Sequence, residues 1–380
     1  MTRTKVQHEN KENNRADFDL YLTGIKSILL EQKNKREILP QNLPKTPSLN
    51  IYTLEQLDNP FFEGSENSIP EGFKSSNTTL QKRARRKQIA LTLMEGLIKL
   101  KSPLLYAYTI TQNQCVNVLL HEGSKITSSY CGYRWCPVCN AIRTGKLING
   151  YLPAFREMKE PYFVTLTAPT VSLYQLDREI NYRNKIFQDI RKYHKSLVNT
   201  NKIEFELNGI RKLEVVPRPD NFAHPHYHMI VDGKESANFI YSQWLTRIPT
   251  AVKKAQDVKP IDETGLIELF KYVTKFWSKD EETGNPKIAT PYEMDQIYQS
   301  LKKRRTVQPF GNIRLVSEDI NEIESIEMEG VTPKEDVSVW ENPAIDWIDT
   351  YGEMTSGYRP SDRDKNLILQ IEKAQSYESA

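Results

Sequence analysis

The sequence predicts an α+β fold in which helices pack against a central antiparallel sheet. The stretch GIRKLEVVPRPDNFAHPHYHMIVDG (209–233) contains two strand-like runs, separated by the proline, aspartate and asparagine that are typical of a tight turn. PYFVTLTAPTV (161–171) is a third such run, and Pro169 stops it. The segments 174–197 and 264–279 have apolar residues at helical spacing. Antiparallel strands beside amphipathic helices indicate the α+β class.

The later of the two helices, 264–279, is predicted to have two different faces. Its apolar stripe consists of Leu269, Val273 and Phe276. Its polar face carries an acid, a phenol and two ammonium groups, namely Glu268, Tyr272, Lys275 and Lys279. Such a face is either an ordinary solvated surface or a set that contains a nucleophile, a general base and a phosphate-binding cation.

The 380 residues are enough for about two folded units. We expect 1–80 to form a partly disordered accessory arm, because it is rich in polar residues and proline. A basic helix and a cysteine-rich, zinc-binding segment follow at 81–150. The α+β core spans 151–316, and 317–380 is predicted to form an acidic C-terminal tail.

The formal net charge of +3 hides an uneven distribution. Residues 318 to 353 contain twelve acidic side chains and one basic side chain, Lys334, whereas residues 1 to 317 carry a net charge of about +14. A basic body predicts a polyanionic partner such as DNA. The candidate DNA contacts are Lys82, Arg83, Arg85, Arg86, Arg134, Arg143, Lys302, Lys303, Arg304 and Arg305. For the first cluster, a solvated helix start is the competing interpretation.

No apolar run approaches 18 residues, and the first twenty residues lack the apolar core of a signal peptide. We therefore expect a cytoplasmic protein with no membrane partner.

All four cysteines, Cys115, Cys131, Cys136 and Cys139, lie within a short stretch that ends in CGYRWCPVC. In a reducing compartment such clustering favours metal binding over disulfides. The Cys-Pro-Val-Cys turn can bring two thiolates to one tetrahedral Zn²⁺, with Cys115 as the fourth ligand and His121 as an alternative. Four protein ligands would make the zinc structural. Buried free thiols are the competing interpretation.

Three of the six histidines, His224, His226 and His228, fall within five residues. Alternation along a strand places His226 and His228 on one face, and a hairpin turn over 217–223 brings Glu214 beside them. Two imidazoles and a carboxylate form a site for Mg²⁺ or Mn²⁺ with positions open for a phosphate oxygen. The alternative is a pair of ordinary core histidines. His224 is expected to lie outside this site if the turn extends to it.

Three motifs occur in the order FVTLTAPTV, HPHYHMIVDG and ELFKYVTK, and they resemble the signature motifs of the HUH endonucleases. The order and spacing are similar to those of the Rep family 1 initiators of rolling-circle plasmid replication. The similarity covers roughly residues 110 to 315, including CGYRWCPVCNAIR before the motifs and LKKRRTVQPFGNIR after them.

This resemblance implies an HUH nuclease core and a role for each matched residue. His226 and His228 are the metal-binding pair, with Glu214 as the third ligand. Tyr272 attacks a phosphodiester, leaving a 5′-phosphotyrosine and a free 3′-hydroxyl. Glu268 matches the carboxylate that activates water at termination, and Lys275 matches the lysine that follows the tyrosine.

The resemblance also implies partners: plasmid origin DNA, both as a double-stranded hairpin and as a single strand, a host helicase and a replication polymerase. Two other functions compete with replication initiation. HUH transposases commonly use two tyrosines, where this chain has Glu268 and Tyr272. A zinc-containing DNA-binding repressor would use the polar helix without catalysis.

Overall fold

The computed structural model describes residues 78–123, 125–262, 264–270, 276–279, 286–320, 323–327 and 334–376. All of them belong to a unit that extends from Asn50 to Ala380. The accessory arm predicted for 1–80 lies outside the described residues up to residue 77. The described part is α+β, as predicted, with eight α-helices and antiparallel sheets.

A six-stranded antiparallel sheet forms the core of the region 151–316. Its strands are β3 (Pro161–Leu166), β4 (Val171–Ser172), β5 (Gly209–Arg218), β6 (Phe222–Asp232), β7 (Asp257–Pro260) and β10 (Val307–Phe310). The strand order is β10-β5-β6-β3-β7, and β4 pairs with the start of β6. Both long strands of the predicted hairpin and the strand before them are therefore confirmed.

The hairpin turn between β5 and β6 is shorter than the sequence suggested. Arg218 pairs with Phe222, so three residues connect the strands, and Asp220 and Asn221 both adopt φ of 61°. Aspartate and asparagine tolerate this left-handed conformation better than most residues. The turn ends before His224, which lies within β6 opposite Val216. The turn therefore does not extend to His224, so the condition under which His224 was expected to lie outside the site does not hold.

Helices cover both faces of this sheet. One face packs on the amphipathic helix α4 (Leu173–Asn199) and on α5 (Lys234–Arg247), through buried residues such as Tyr227, Met229 and Val231. The opposite face buries Ile230 and Phe163 against α3 (Pro137–Arg156) and α6 (Thr264–Phe270). Odd- and even-numbered residues of β6 thus face different layers, as strand alternation predicted.

Helix α6 is shorter than the predicted helix 264–279. The segment 271–275 lies outside the described residues, Phe276 is in a bend, and β8 (Trp277–Lys279) is a strand paired with β9 (Pro286–Ile288). Lys279 is therefore a strand residue, and its assignment to the polar face of the helix was wrong. The β-branched and aromatic residues at the end of the predicted helix, including Trp277, are also favoured in strands.

The acidic segment does not form a separate tail. Its strands β11 (Ile323–Glu327), β12 (Lys334–Glu341) and β13 (Asp346–Ile348) join β1 (Val118–Gly123) and β2 (Lys125–Ser129) in a five-stranded sheet of order β11-β2-β1-β12-β13. The predicted boundary at 317 is corrected accordingly. Six of the twelve acidic residues lie on these three strands, which complete the sheet of the cysteine-rich segment.

Four further helices complete the described fold. Helix α1 (Thr78–Lys99) packs on α2 (Leu105–Asn113), on α3 and on the C-terminal helix α8 (Asp362–Ser376). Helix α7 (Pro291–Leu301) starts with a capping box in which the Thr290 hydroxyl accepts from the Glu293 N–H. Within the described part of the chain, none of the helices is both long enough and apolar enough to cross a bilayer.

Candidate metal centre

The hairpin register brings Glu214 and two histidines together. Glu214 lies directly opposite His226, and His228 lies opposite Lys212. The Nε2 atoms of His226 and His228 are 3.0 Å apart. The Glu214 carboxylate oxygens lie 4.0 Å from His226 Nε2 and 3.5 Å from His228 Nε2. Three potential ligand atoms therefore converge on one point of the sheet.

Contacts behind the two rings direct their Nε2 atoms toward this point. His226 Nδ1 is 3.2 Å from the His224 carbonyl oxygen, which can only accept, so Nδ1 carries the proton. His228 Nδ1 is 3.2 Å from the Thr165 hydroxyl. Each ring thus has its Nδ1 occupied by an oxygen and its Nε2 available as a ligand, the arrangement that orients metal-binding histidines.

The spacing and chemistry of these atoms suit a small divalent ion. An octahedral ion with bonds of about 2.1 Å holds adjacent ligands about 3.0 Å apart, which matches the separation of the two nitrogens. The carboxylate distances are wider but within the reach of a small side-chain rotation. Two imidazoles and one carboxylate on a sheet surface leave further coordination positions for water or a phosphate oxygen.

Lys212 and Thr165 are neighbours of this cluster that the sequence reasoning did not assign to the site. The Lys212 side chain is fully buried, and its Nζ lies 3.6 Å from a Glu214 oxygen. Strand parity had placed Lys212 on the face of Glu214 but gave no distance. Thr165 faces His228 because β3 pairs with β6 in the register that places these two residues opposite each other. The sequences of the two separate segments do not reveal this register.

Helix α6 lies over the same face of the sheet. Leu266, Leu269 and Phe270 are buried in one cluster with Ile230, the next residue of β6 on the histidine face. Glu268, on the same short helix, is exposed. Tyr272 and Lys275, the predicted nucleophile and its neighbouring cation, lie outside the described residues.

His224 stands next to the cluster without joining it. Its ring centroid is 5.4 Å from that of His226, and its Nδ1 is 3.3 Å from the Thr170 hydroxyl. Burial, together with the nearby His226, Arg218 and Arg183, lowers the pKa of His224 to about 4. The ring is therefore neutral at pH 7.

A second group of potential ligands consists of the four cysteines, whose sulfur atoms lie within 4.8 Å of one another. Cys115 Sγ is 3.5 Å from both Cys136 Sγ and Cys139 Sγ, and Cys131 Sγ is 3.5 Å from Cys139 Sγ. Tetrahedral Zn²⁺ with Zn–S bonds of about 2.3 Å separates its sulfurs by about 3.8 Å. The observed spacing is close to that requirement. His121 is not in the group, since its Nε2 lies 3.0 Å from the Ser338 hydroxyl.

The surroundings of the cysteines suit thiolate ligands. Burial alone disfavours the thiolate of Cys131, but hydrogen bonds from the other three cysteines outweigh it and hold its pKa well below the usual range. Burial raises the pKa of Cys136 and Cys139. The ammonium of Lys87, completely buried, donates to the Cys115 carbonyl oxygen at 2.7 Å. Lys87 is a buried charge that the sequence reasoning missed.

Many of the basic side chains predicted to contact DNA have structural roles. Arg83 and Arg143 are buried; Arg83 donates to the Tyr130 hydroxyl and Arg143 to the Gly132 carbonyl oxygen. Both side chains are therefore buried rather than exposed to a DNA partner, which residue type alone does not reveal.

Three more of these arginines pair with carboxylates of the protein. Arg85 contacts Asp364 at 2.5 Å, Arg134 contacts Glu318 at 2.9 Å, and Arg304 contacts Asp177. Lys302, Lys303 and Arg305 are exposed, while Lys82 and Arg86 are half-buried on α1. Among the predicted DNA contacts, the exposed side chains therefore all follow α7.

One comparison with known proteins bears on this arrangement. No family model matches the chain, and no solved structure matches it. The protein named Protein rep, from Staphylococcus aureus, is 31% identical to it over 167 residues, which cover 38% of this chain and 69% of that protein. At this identity and coverage of the relative, the chain belongs to the same family as that Rep protein.

Proposed function

We propose that this protein initiates rolling-circle replication of a plasmid by binding the double-strand origin and nicking one strand through Tyr272. The observation that carries the proposal is the convergence of Glu214, His226 and His228 in a member of the Rep family. In this proposal the region 151–316 is an HUH nuclease core. The resulting 3′-hydroxyl primes a host polymerase, and a host helicase unwinds the duplex ahead of it.

The chemistry proposed for the first cleavage is a transesterification. The Tyr272 oxygen attacks the phosphorus, the bond from phosphorus to the 3′-oxygen breaks, and the departing oxygen takes a proton to become the 3′-hydroxyl. A Mg²⁺ or Mn²⁺ ion held by the three ligands supplies neutralising charge at the non-bridging phosphate oxygens. The number of phosphate ester bonds does not change, so the strand can be rejoined without ATP.

Several side chains are proposed to position or balance charge in this reaction. The His224 carbonyl oxygen holds His226 in the tautomer that presents Nε2, and the Thr165 hydroxyl orients the His228 ring. Lys212, with its Nζ 3.6 Å from a Glu214 oxygen, is proposed to balance the charge of this buried carboxylate. Lys275 adds positive charge near the attacked phosphate, which also favours the Tyr272 phenolate.

Glu268 is proposed to act at termination. It lies four residues before Tyr272 in the sequence, on a helix packed over the histidine face. A carboxylate there can take a proton from a water molecule that attacks the second phosphodiester, and this hydrolysis leaves no covalent adduct. Cys115, Cys131, Cys136 and Cys139 are proposed to hold one structural Zn²⁺ that supports the segment preceding the core.

The test is a nicking assay with the full chain and a supercoiled plasmid that carries its origin. We expect relaxation that requires Mn²⁺ or Mg²⁺ and is lost in His226→Ala and His228→Ala. His121→Ala is the matched control, since this histidine lies on the other sheet, outside the cluster. Metal-independent nicking, or full activity of both cluster variants, would contradict the proposal and favour a non-catalytic DNA-binding role.

A further inference from the structure

A polar groove lies on the face of the six-stranded sheet opposite the histidines. Its volume is about 440 Å³. It runs between α4 and the sheet edge formed by β10, and its central residues are Asn184, Lys185, Arg211 and Gln308. None of these four residues was assigned a role by the sequence motifs.

Arg211 gives this groove its chemical character. The side chain is 5% exposed, and its guanidinium carbon lies 4.4 Å from the Phe187 ring centroid and 4.7 Å from that of Tyr227. One terminal nitrogen donates to the Gln308 side-chain oxygen at 2.8 Å. The other terminal nitrogen is buried and has no hydrogen-bond partner. A buried guanidinium with an unused donor is costly unless a ligand completes its bonding.

The charge of Arg211 is also not balanced by an acid. Among the described residues, none of the carboxylates forms an ion pair with it. Burial lowers the pKa of Arg211, and the positive charge of Arg191 adds to this effect. Asp189, the one acidic residue that lines the groove, lies 3.8 Å from Lys192. The lining therefore keeps a net positive charge.

The remaining lining residues suit a polar, negatively charged chain. Helix α4 presents amide and ammonium side chains to the groove at helical spacing, namely Asn181, Asn184, Lys185, Gln188 and Lys192. The Asn184 side-chain oxygen accepts from the Tyr227 hydroxyl at 2.7 Å, which fixes the orientation of this amide. A neighbouring cavity shares Gln188 and Lys192 and is also lined by Arg191 and Lys195, so basic side chains continue along the helix, although Glu204 and Glu206 line that cavity as well.

We propose that this groove binds the phosphodiester backbone of single-stranded nucleic acid, with Arg211 contacting a phosphate and the amides contacting adjacent sugar or base edges. The guanidinium fork matches phosphate oxygens, and the groove volume of about 440 Å³ lies within the range of pockets that hold one small ligand. The choice of nucleic acid rests on the proposed function. The site itself is separate from the nicking centre, on the other face of the sheet.

The experiment measures binding of a fluorescent sixteen-residue oligothymidylate to the full chain without divalent ions, by anisotropy over a range of salt concentrations. Arg211→Gln should weaken binding about tenfold, since a charge-assisted bond to phosphate is lost. Because Arg211 is buried, its substitution can also affect folding. The variant Lys185→Ala/Lys192→Ala changes only exposed residues and therefore gives a second, independent test of binding in the groove. It should reduce the slope of log affinity against log salt by about 1.4.

Two controls distinguish the groove from general charge effects and from the nicking site. Lys253→Ala/Lys254→Ala removes two exposed lysines outside the groove and should leave affinity within about twofold. A methylphosphonate oligonucleotide, which lacks phosphate charge, should bind the parent protein and Arg211→Gln equally weakly. Unchanged oligothymidylate binding by Lys185→Ala/Lys192→Ala and by folded Arg211→Gln would overturn the inference, even if nicking occurs. Weakened binding in a protein that does not nick would support the groove and refute only the proposed function.

Discussion

The hydroxyl of Thr165 offers a sensitive test of the metal centre, because Thr165→Val removes one oxygen without changing the size of the side chain. The hydroxyl lies 3.2 Å from His228 Nδ1 and holds the ring with Nε2 facing Glu214 and His226. Losing such a contact behind a ligand typically weakens metal binding about 10- to 100-fold. This corresponds to about 1.4 to 2.7 kcal/mol of binding free energy.

Calorimetric titration with Mn²⁺ measures this change directly. Thr170→Val is the matched control, because Thr170 makes an equivalent contact with His224, which is outside the cluster. We expect Thr170→Val to bind Mn²⁺ as the parent protein does and His228→Ala to lose most binding. Unchanged affinity in Thr165→Val, with strong loss in His228→Ala, would refute the orienting role of the hydroxyl. Unchanged affinity in both would refute the metal centre.

Three further predictions concern other parts of the molecule. Cys136→Ser should lower the zinc content from one per chain and destabilise the fold, as measured by metal analysis and thermal melting; a folded parent protein without zinc would contradict this. Trp347→Ala should lower the free energy of unfolding by about 3 to 5 kcal/mol in denaturant titration. The buried indole ring lies 4.9 Å from that of Trp340, measured between centroids, and its N–H donates to the Val116 carbonyl oxygen. A decrease below about 1 kcal/mol would show that the acidic strands are dispensable for stability. Glu268→Ala should keep the first nick but accumulate multimeric plasmid products on gels, whereas clean termination would remove Glu268 from the mechanism.

The central hairpin could be predicted from sequence because strand alternation and turn chemistry act locally. Apolar residues at 227, 229 and 231 place His226 and His228 on the other face, and the turn residues bring Glu214 opposite them. The turn has three residues instead of the predicted seven, yet the same side chains meet. Each side chain keeps its predicted face of the sheet, because the turn is shorter by the same number of residues on both strands.

Long-range pairing explains what sequence reasoning did not foresee. Strand β12 pairs Val337 with Leu120, more than two hundred residues away, and neither segment contains a signal that names its partner. Counting acidic residues therefore suggested a tail where the chain forms a sheet. Glu318, within that supposed tail, contacts Arg134, so two residues expected to serve different purposes neutralise each other.

The sequence pattern also could not predict which charged side chains are buried. Lys87 and Arg83 belong to the run KRARRK, which suggests an exposed basic cluster, yet both side chains face the core. A helix distributes consecutive residues around its axis, so a charge run on an amphipathic helix must place some members inward. Tertiary contacts determine which of them become buried.

The most direct test of the proposed mechanism is to identify the residue that becomes attached to DNA. The full chain is incubated with Mn²⁺ and a single-stranded origin oligonucleotide, the DNA is digested, and the modified tryptic peptide is sequenced by mass spectrometry. We expect a nucleotide 5′-phosphate on Tyr272, and no adduct from Tyr272→Phe although this variant still binds the origin. An adduct on any other residue, or one that persists in Tyr272→Phe, would contradict the mechanism.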